Sequence, residues 1–263
     1  MNTNPIELTI DGAVAVVTFN RPDAANAFNT AMYNGLRDAL QTAEQHDDVA
    51  VVFLRAVGRH FCAGQDLDEM AELAAGRGTP DMQRAFPSLL DTLQAFALPM
   101  VAAVRGAAVG LGMTMLAHVD LVVVADDARL RAPFAPMGVP PEAGSSVTLA
   151  LAMGPQRAAE ALFTGRFLTG VEAAAAGLAL RSVAADEVES VARSLADEVA
   201  AHPVAALRAI KAAVLAGRVD AIVAARHREE AAFAELLASF NRSAVLPASP
   251  AAPQPPAPAP ARR

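Results

Sequence analysis

Residues 61–67 read FCAGQDL, and they come shortly after a β-branched run at 49–55. Residues 106–112 read GAAVGLG, and they follow another apolar run at 100–104. Each run has the length and composition of a buried strand, and each leads through a glycine-containing turn into a helix-like pattern. A strand–turn–helix unit that is used repeatedly indicates a βα spiral rather than a β-sandwich.

The segments on either side of these two loops predict further regular structure. Residues 6–10 alternate between apolar and polar side chains, an Asp-Gly pair supplies a turn, and residues 14–19 form a second β-type run, which together predict a hairpin. A further strand is predicted at 121–124. From Ser145 onward the pattern is almost wholly helical, with glycine and proline at the breaks. The last three helices are predicted at 186–201, 203–216 and 219–240.

Composition and charge narrow the class of protein. The 263 residues are 54% hydrophobic and 19% charged, which is typical of a globular protein with a buried core. No apolar run reaches the ~18–20 residues of a membrane span, and the amino terminus lacks the regions of a secretory signal. The single cysteine, Cys62, excludes an intrachain disulfide and a cysteine-based metal cluster. A net charge of −7 argues against nucleic-acid binding, so we expect a cytoplasmic enzyme without a membrane span.

The composition changes abruptly after Ser243. Residues 243–263 are mostly proline and alanine, a composition that neither forms a helix nor buries a core. We expect a disordered tail there, with a polyproline recognition segment as the alternative.

Four short motifs occur in order along the chain, and together they resemble one family. They are NRP…NA at 20–27, FCAGQDL at 61–67, GAAVGLG at 106–112 and LFTG…GL at 162–178. Over about residues 6–240 the chain resembles the crotonase, or enoyl-CoA hydratase/isomerase, superfamily. The resemblance implies an α/β fold, the crotonase-type ββα spiral, at residues 1–185, followed by a helical trimerisation region at 186–242. It also implies a homotrimer or a dimer of trimers that binds an acyl- or enoyl-coenzyme A (CoA) substrate.

The resemblance assigns these motifs to binding a thioester and stabilising its enolate. An enolate carries negative charge on the former carbonyl oxygen, and one fixed backbone donor in a dry site contributes roughly 3–4 kcal/mol to such a state. By resemblance, the backbone N–H groups of Ala63 and Leu111 are the two donors, and Leu111 also opens a helix whose dipole favours the anion. The implied substrate-binding positions are Ala24, Ala25, Ala63, Gly64, Gln65, Asp66, Leu67, Gly110 and Leu111.

The reaction depends on which carboxylates are present. Hydratase members of the family use two glutamates as base and acid, and the corresponding positions here are Thr114 and Phe134. Residues 138–146, GVPPEAGSS, instead resemble the PEGxSS segment of peroxisomal-type Δ3,Δ2-enoyl-CoA isomerases, in which one glutamate moves a proton from C2 to C4. The resemblance makes Glu142 the catalytic base, and we expect an apolar pocket that raises its pKa. The predicted activity is the conversion of a 3-enoyl-CoA to a 2-enoyl-CoA in fatty acid metabolism.

Two other functions remain open: an enoyl-CoA hydratase that uses other carboxylates, and a non-catalytic acyl-CoA-binding protein. No cofactor is expected because CoA is part of the substrate, and no residue pattern has metal-ligand spacing. His60 is interpreted as structural or solvent-facing, His118 as a satisfied core histidine, and Cys62 as a small apolar side chain. Acyl chain length is expected to depend on the packing of apolar residues: Met70, Leu73, Leu93 and Phe96.

Overall fold

The computed structural model of the chain describes residues 4–236. Its strands are β1 Ile6–Asp11, β2 Val14–Phe19, β3 Val51–Ala56, β4 Met100–Val104, β5 Ala107–Val109, β6 Leu121–Ala125, β7 Arg129–Arg131, β8 Leu168–Thr169 and β9 Arg181–Val183. Within this range they form a six-stranded sheet in the order β1-β2-β3-β4-β6-β9 and a three-stranded sheet in the order β5-β7-β8.

The larger sheet contains the predicted hairpin and a parallel core. β1 and β2 pair antiparallel, with Leu8 opposite Val17. In this sheet β2 pairs with β3, β3 with β4, β4 with β6 and β6 with β9, and all four pairs are parallel. Every residue of β2 and β4 is buried. Parallel strands covered on both faces have continuous apolar sequences, so the runs at 49–55 and 100–104 were recognisable. The five predicted strands are all present, with only small shifts at their ends.

Helices connect the strands and make up most of the carboxy-terminal half. They are α1 Thr30–Gln45, α2 Leu67–Ala74, α3 Pro80–Ala95, α4 Leu111–Thr114, α5 Phe134–Met137, α6 Ser145–Met153, α7 Pro155–Thr164, α8 Gly170–Ala176, α9 Val188–Ala200, α10 Val204–Ala216 and α11 Val219–Leu236, with 3-10 turns at Pro22–Ala24 and Met115–His118. The three predicted carboxy-terminal helices correspond to α9, α10 and α11. The end of the predicted helix 219–240 and the predicted tail 243–263 lie outside the described residues.

The carboxy-terminal helices are tied to the rest of the fold. α9 packs against β3, β4 and β6, and α11 packs against α6 and α3. On α10, Lys211 is buried and its Nζ contacts both carboxylate oxygens of Asp120, at 2.7 and 2.6 Å. The division into a core at 1–185 and a helical region at 186–242 stays a prediction.

Within residues 4–236 no single helix is both long and apolar enough to cross a membrane. Taken together, α9 and α10 meet those requirements, but they are bent by 106° where they join.

Candidate active site

The two glycine-containing loops lie directly against each other. Cys62 forms an isolated parallel bridge with Ala108, and the N–H of Val109 donates to the Cys62 carbonyl at 2.9 Å. A Cβ added at Gly112 would overlap with the Cys62 carbonyl oxygen, and one added at Gly64 would lie 2.8 Å from the Val109 carbonyl oxygen. Backbones come this close only where no side chain intervenes, which explains glycine at both positions.

The backbone hydrogen bonds decide which N–H groups are free to bind a ligand between the loops. The N–H of Ala63 donates to the Ala25 carbonyl at 3.0 Å. This hydrogen bond contradicts the prediction that Ala63 supplies a free donor, because its single N–H is already used. The next residues are held by Phe28, which donates to the Gly64 carbonyl at 2.7 Å and accepts from the N–H of Asp66 at 2.8 Å.

Gln65 lies between these two hydrogen bonds, in a parallel bridge with Phe28. In such a bridge the middle residue directs its own N–H and C=O to the opposite side, so the N–H of Gln65 points away from Phe28. The N–H of Leu111 is also unpaired, because Leu111 begins α4 and a helix leaves its first N–H groups without internal partners. Neither N–H has an acceptor within residues 4–236.

Most of the predicted site residues surround one small cavity of about 30 Å³ between the loops. Those that line it are Ala63, Gly64, Gln65, Leu67, Gly110, Leu111 and Glu142. Asp66 lines an adjoining cavity of about 380 Å³ instead, caps α2 and pairs with Arg21 at 2.7 Å. Ala24 and Ala25, which lie in and just after the 3-10 turn at Pro22–Ala24, line neither cavity.

Glu142 lies at the junction of the two cavities and lines both. The side-chain amide of Gln65 donates a short hydrogen bond to its Oε2, and the hydroxyl of Thr114 lies 3.4 Å from its Oε1. Burial raises the pKa of Glu142 to about 7; the Gln65 hydrogen bond opposes this rise, and the nearby carboxylate of Glu229 adds to it. The expected rise in the pKa of Glu142 is thereby confirmed.

The two positions at which hydratases carry glutamates also lie at this site. Thr114 is fully buried beside Glu142, and Phe134 lines the small cavity. Neither can accept or deliver a proton as a carboxylate does. Within residues 4–236, Glu142 is the only carboxylate that lines the small cavity.

The segment that carries Glu142 is held by two buried polar side chains. Glu229, on α11, accepts hydrogen bonds from the N–H groups of Gly144 at 2.7 Å and Ser146 at 2.9 Å. His118 Nε2 lies 2.8 Å from the carbonyl oxygen of Ala143. Burial lowers the pKa of His118 to about 4, so the ring is neutral and can donate to that carbonyl. The interpretation of His118 as a satisfied core histidine is confirmed.

The larger cavity has a mainly apolar wall. Met70 and Leu73 line it as expected, whereas Leu93 and Phe96 are buried in the core away from it. Phe233, on α11, lines both cavities. A volume of about 380 Å³ falls within the range of small-molecule sites, so this cavity can hold an extended apolar group.

The remaining polar candidates have structural surroundings. Cys62 is fully buried, and burial raises the pKa of its thiol to about 12, so it stays protonated. The Nδ1 of His60 accepts a hydrogen bond from the N–H of Ala107 at 3.1 Å. Within residues 4–236 no group of three or more His, Cys, Asp or Glu side chains could hold a metal ion.

Comparisons with known proteins agree with the motifs. The family model for enoyl-CoA hydratase/isomerase matches residues 9–245. The chain is similar to 2,3-dehydroadipyl-CoA hydratase of Escherichia coli strain K12, with 33% identity over 87% of this chain and 89% of that one. It is also similar to enoyl-CoA delta isomerase 2 of Rattus norvegicus, with 37% identity over 66% of this chain and 44% of that one.

A solved structure confirms the likeness at the level of the fold. An enoyl-CoA hydratase/isomerase from Pseudoalteromonas atlantica T6c superposes with a TM-score of 0.83 at 34% identity, over 89% of this chain and 92% of that one. The predicted crotonase-type α/β fold, with helices at its carboxy-terminal end, is therefore confirmed.

Proposed function

The chain belongs to the enoyl-CoA hydratase/isomerase family, and we propose that it converts a 3-enoyl-CoA to the 2-enoyl-CoA isomer with Glu142 as its single base. The observation that carries this proposal is the carboxylate count at the small cavity. Within the described residues Glu142 alone lines it, while Thr114 and Phe134 occupy the places of the two hydratase glutamates. Isomerisation needs one carboxylate, whereas hydration needs a base and an acid.

The chemistry requires one proton to move between two carbons. The Glu142 carboxylate takes a proton from C2, the electrons shift onto the thioester oxygen as a dienolate, and the same proton is returned at C4. The double bond thereby moves from C3–C4 to C2–C3 without change of oxidation state, so we propose that the reaction uses no cofactor. A base whose pKa is about 7 suits this task, because it must both accept and release a proton near neutral pH.

The dienolate needs donors for its oxygen, and we propose the N–H groups of Gln65 and Leu111. Both lack acceptors within residues 4–236, and both residues line the small cavity with Glu142. Leu111 was predicted for this role; Gln65 replaces Ala63, whose N–H is held by Ala25. Each donor of this kind is worth about 10²–10³ in kcat.

Two rival functions, hydration and acyl-CoA binding without catalysis, place different demands on the site. The relative from Escherichia coli is a hydratase and matches nearly the whole chain, which favours hydration. Here, however, the Thr114 hydroxyl beside Glu142 would have to stand in for the missing carboxylate. A non-catalytic acyl-CoA-binding protein needs no buried base, yet the Glu142 carboxylate faces the cavity with a raised pKa.

Assay of the purified protein separates these functions. With a 3-enoyl-CoA we expect the absorbance of the conjugated thioester to rise, and with a 2-enoyl-CoA we expect no comparable loss of it. Hydration of the 2-enoyl-CoA at a rate similar to isomerisation would overturn the proposed reaction. Binding of both thioesters without turnover would support the non-catalytic alternative.

The pH dependence follows from the raised pKa of Glu142. Only the ionised carboxylate accepts a proton from C2, so the isomerisation rate is expected to rise with pH through about 7. Gln65→Ala removes the side-chain hydrogen bond that stabilises the ionised form while keeping the backbone N–H. The midpoint of the rate profile should then move to higher pH. Gln83→Ala, at the same larger cavity but bonded to Gly78, is the control that should leave the midpoint unchanged.

We also propose that the chain assembles as a homotrimer or a dimer of trimers, as the resemblance implies. Large apolar side chains exposed on the described surface support association. They include Leu151 on α6 and Ile210 and Val214 on α10. The cytoplasmic location stays a prediction from the sequence.

A further inference from the structure

The turn at residues 142–146, which carries the proposed base, has a backbone conformation that residues other than glycine avoid. Ala143 and Gly144 follow Glu142 directly, and their φ angles are 58° and 70°, in the left-handed region. An alanine is strained there, and such a conformation persists only where the surrounding structure fixes it. The position of Glu142 therefore depends on the groups that hold this turn.

Glu229 holds this turn from a helix, α11, that lies 85 residues further along the chain. Its Oε2 accepts from the N–H of Gly144 at 2.7 Å, and its Oε1 accepts from the N–H of Ser146 at 2.9 Å and from the hydroxyl of Ser146 at 2.5 Å. α6 begins at Ser145 and has no cap from a neighbouring side chain. Glu229 therefore does for α6 what a local cap residue does for other helices.

α11 also packs directly on the turn. A Cβ added at Gly144 would lie 3.0 Å from Cγ2 of Ile222 and 3.5 Å from Cγ of Arg226. Further along the same helix, Phe233 lines both cavities. α11 thereby joins the wall of the acyl cavity to the backbone that carries the base.

Electric charge is a second link between Glu229 and Glu142. Burial is the main cause of the raised pKa of Glu142, and the carboxylate of Glu229 adds to the rise. Six other titratable or charged groups surround this part of the site. They are Tyr33 on α1, Cys62 in the loop at 61–67, Asp66 and Glu69 at the start of α2, His118 in the 3-10 turn Met115–His118, and Arg226 on α11.

None of these six groups does what Glu229 does. The tyrosine, the cysteine and the histidine are uncharged near neutral pH, because burial raises the pKa of the first two and lowers that of the third. Asp66 pairs with Arg21 at 2.7 Å. Arg226 pairs with Asp91 at 2.8 Å, and Glu69 accepts two hydrogen bonds at the start of α1. Within residues 4–236, Glu229 is therefore the charge that raises the pKa of the base.

We propose that Glu229 is a positioning residue for the base, because its carboxylate both fixes the turn that follows Glu142 and places a negative charge beside it. The inference rests on the proposed function, since it takes Glu142 as the base. A purely structural role would need the hydrogen bonds alone, whereas the proposed role also needs the charge. The pH dependence of the reaction distinguishes the two.

Glu229→Gln keeps the shape of the side chain and removes its charge. Because both carboxylate oxygens accept hydrogen bonds, the amide nitrogen of glutamine must face a donor and loses that bond. We expect the plateau kcat for a 3-enoyl-CoA to fall by about 10–10²-fold, because a misplacement of about 1 Å costs up to about 10²-fold. KM should change little. The midpoint of the kcat–pH profile should move to lower pH, because the base ionises more easily without a neighbouring anion.

Two further variants separate charge from position. Glu229→Asp keeps the charge but is too short to reach both N–H groups, so kcat should fall while the midpoint stays near that of the unmodified protein. Glu235→Gln is the matched control. Glu235 is exposed on the same helix and lines neither cavity, so its replacement should leave both kcat and the midpoint unchanged.

Three outcomes would overturn the inference. One is an unchanged plateau kcat in folded Glu229→Gln, and another is a lower kcat with an unmoved midpoint, which is the mark of a structural role alone. If Glu229→Gln does not fold, Ser146→Ala removes one of the three hydrogen bonds and keeps the charge; it should lower kcat severalfold, and an unchanged kcat is the third outcome. Full activity in Glu142→Gln would overturn the proposed function as well, whereas an inactive Glu142→Gln beside an unaffected Glu229→Gln would overturn the inference alone.

Discussion

Glu142→Gln is expected to lower the rate of isomerisation by about 10²–10⁴-fold, the range typical of a lost general base. The amide has the size and shape of the carboxylate and can still accept a hydrogen bond from Gln65. It cannot take a proton from C2, and no other carboxylate lines the small cavity within residues 4–236. Affinity for acyl-CoA should therefore be retained, because the loops that hold the thioester are unchanged.

The measurement is single-turnover conversion of a 3-enoyl-CoA at pH 8, with thermal unfolding as the check on folding. At this pH Glu142 is largely ionised, and its folded-state pKa of about 7 lies above the ordinary value of 4.5. A raised carboxyl pKa means that ionisation destabilises the folded state as pH rises, so the neutral variant should have an equal or higher Tm. Glu230→Gln, on the rim of the larger cavity, is the matched control and should keep full activity. An unchanged rate in Glu142→Gln would rule out Glu142 as the base.

The fold could be predicted from the sequence because the patterns that indicate its strands, turns and helices lie within short segments. Buried parallel strands have uninterrupted apolar runs, and each of the two central loops begins after such a run. Close contact of the loops needs glycine at positions 64 and 112, which makes the motifs recognisable. Helix ends in the carboxy-terminal half were marked by glycine and proline for the same local reasons.

The prediction of Ala63 as a free donor was wrong, and the donor that we propose instead, Gln65, lies two residues further along the chain. The two residues are separated by Gly64, whose φ of +99° interrupts the regular alternation of N–H directions along the segment, so the direction of each N–H cannot be counted from its place in the motif. The pairing partners of Ala63 and Gln65 are Ala25 and Phe28, which come from a segment far away in the sequence. The residues of a motif do not show which distant segment pairs with it, or in which register.

Tyr33 and Glu229 were not identified from the sequence. Both line the larger cavity only because the fold brings α1 and α11 to its wall. In the sequence, Tyr33 fits an ordinary core position of α1, and Glu229 falls in a charged stretch that looks solvated. The signal that would have found Glu229 is a buried carboxylate with distant backbone partners, the N–H groups of Gly144 and Ser146, and this exists only in three dimensions.

Gly112→Ala is expected to reduce the isomerisation rate by at least about 10²-fold, the effect of one misplaced oxyanion donor. The added methyl group would overlap with the carbonyl oxygen of Cys62, and a backbone atom cannot rotate aside as a side chain can. The loops must then separate, which stretches the hydrogen bond between Val109 and Cys62 and moves the adjacent Leu111 N–H away from that of Gln65. The loss should appear mainly in kcat, because the two donors act most strongly on the developing anion.

Gly217→Ala provides the matched control for the effect of glycine replacement itself. Gly217 has an ordinary φ of −75°, and the nearest atom to an added Cβ would be the Val214 carbonyl oxygen at 3.9 Å. The control should keep both its rate and its Tm. If Gly112→Ala is too unstable to assay, Gly64→Ala pushes the same loops apart from the other side, where the added carbon would meet the Val109 carbonyl at 2.8 Å. Full activity in a folded Gly112→Ala protein would mean that the spacing of the two loops does not set the position of the donors, and the assignment of Gln65 and Leu111 would have to be abandoned.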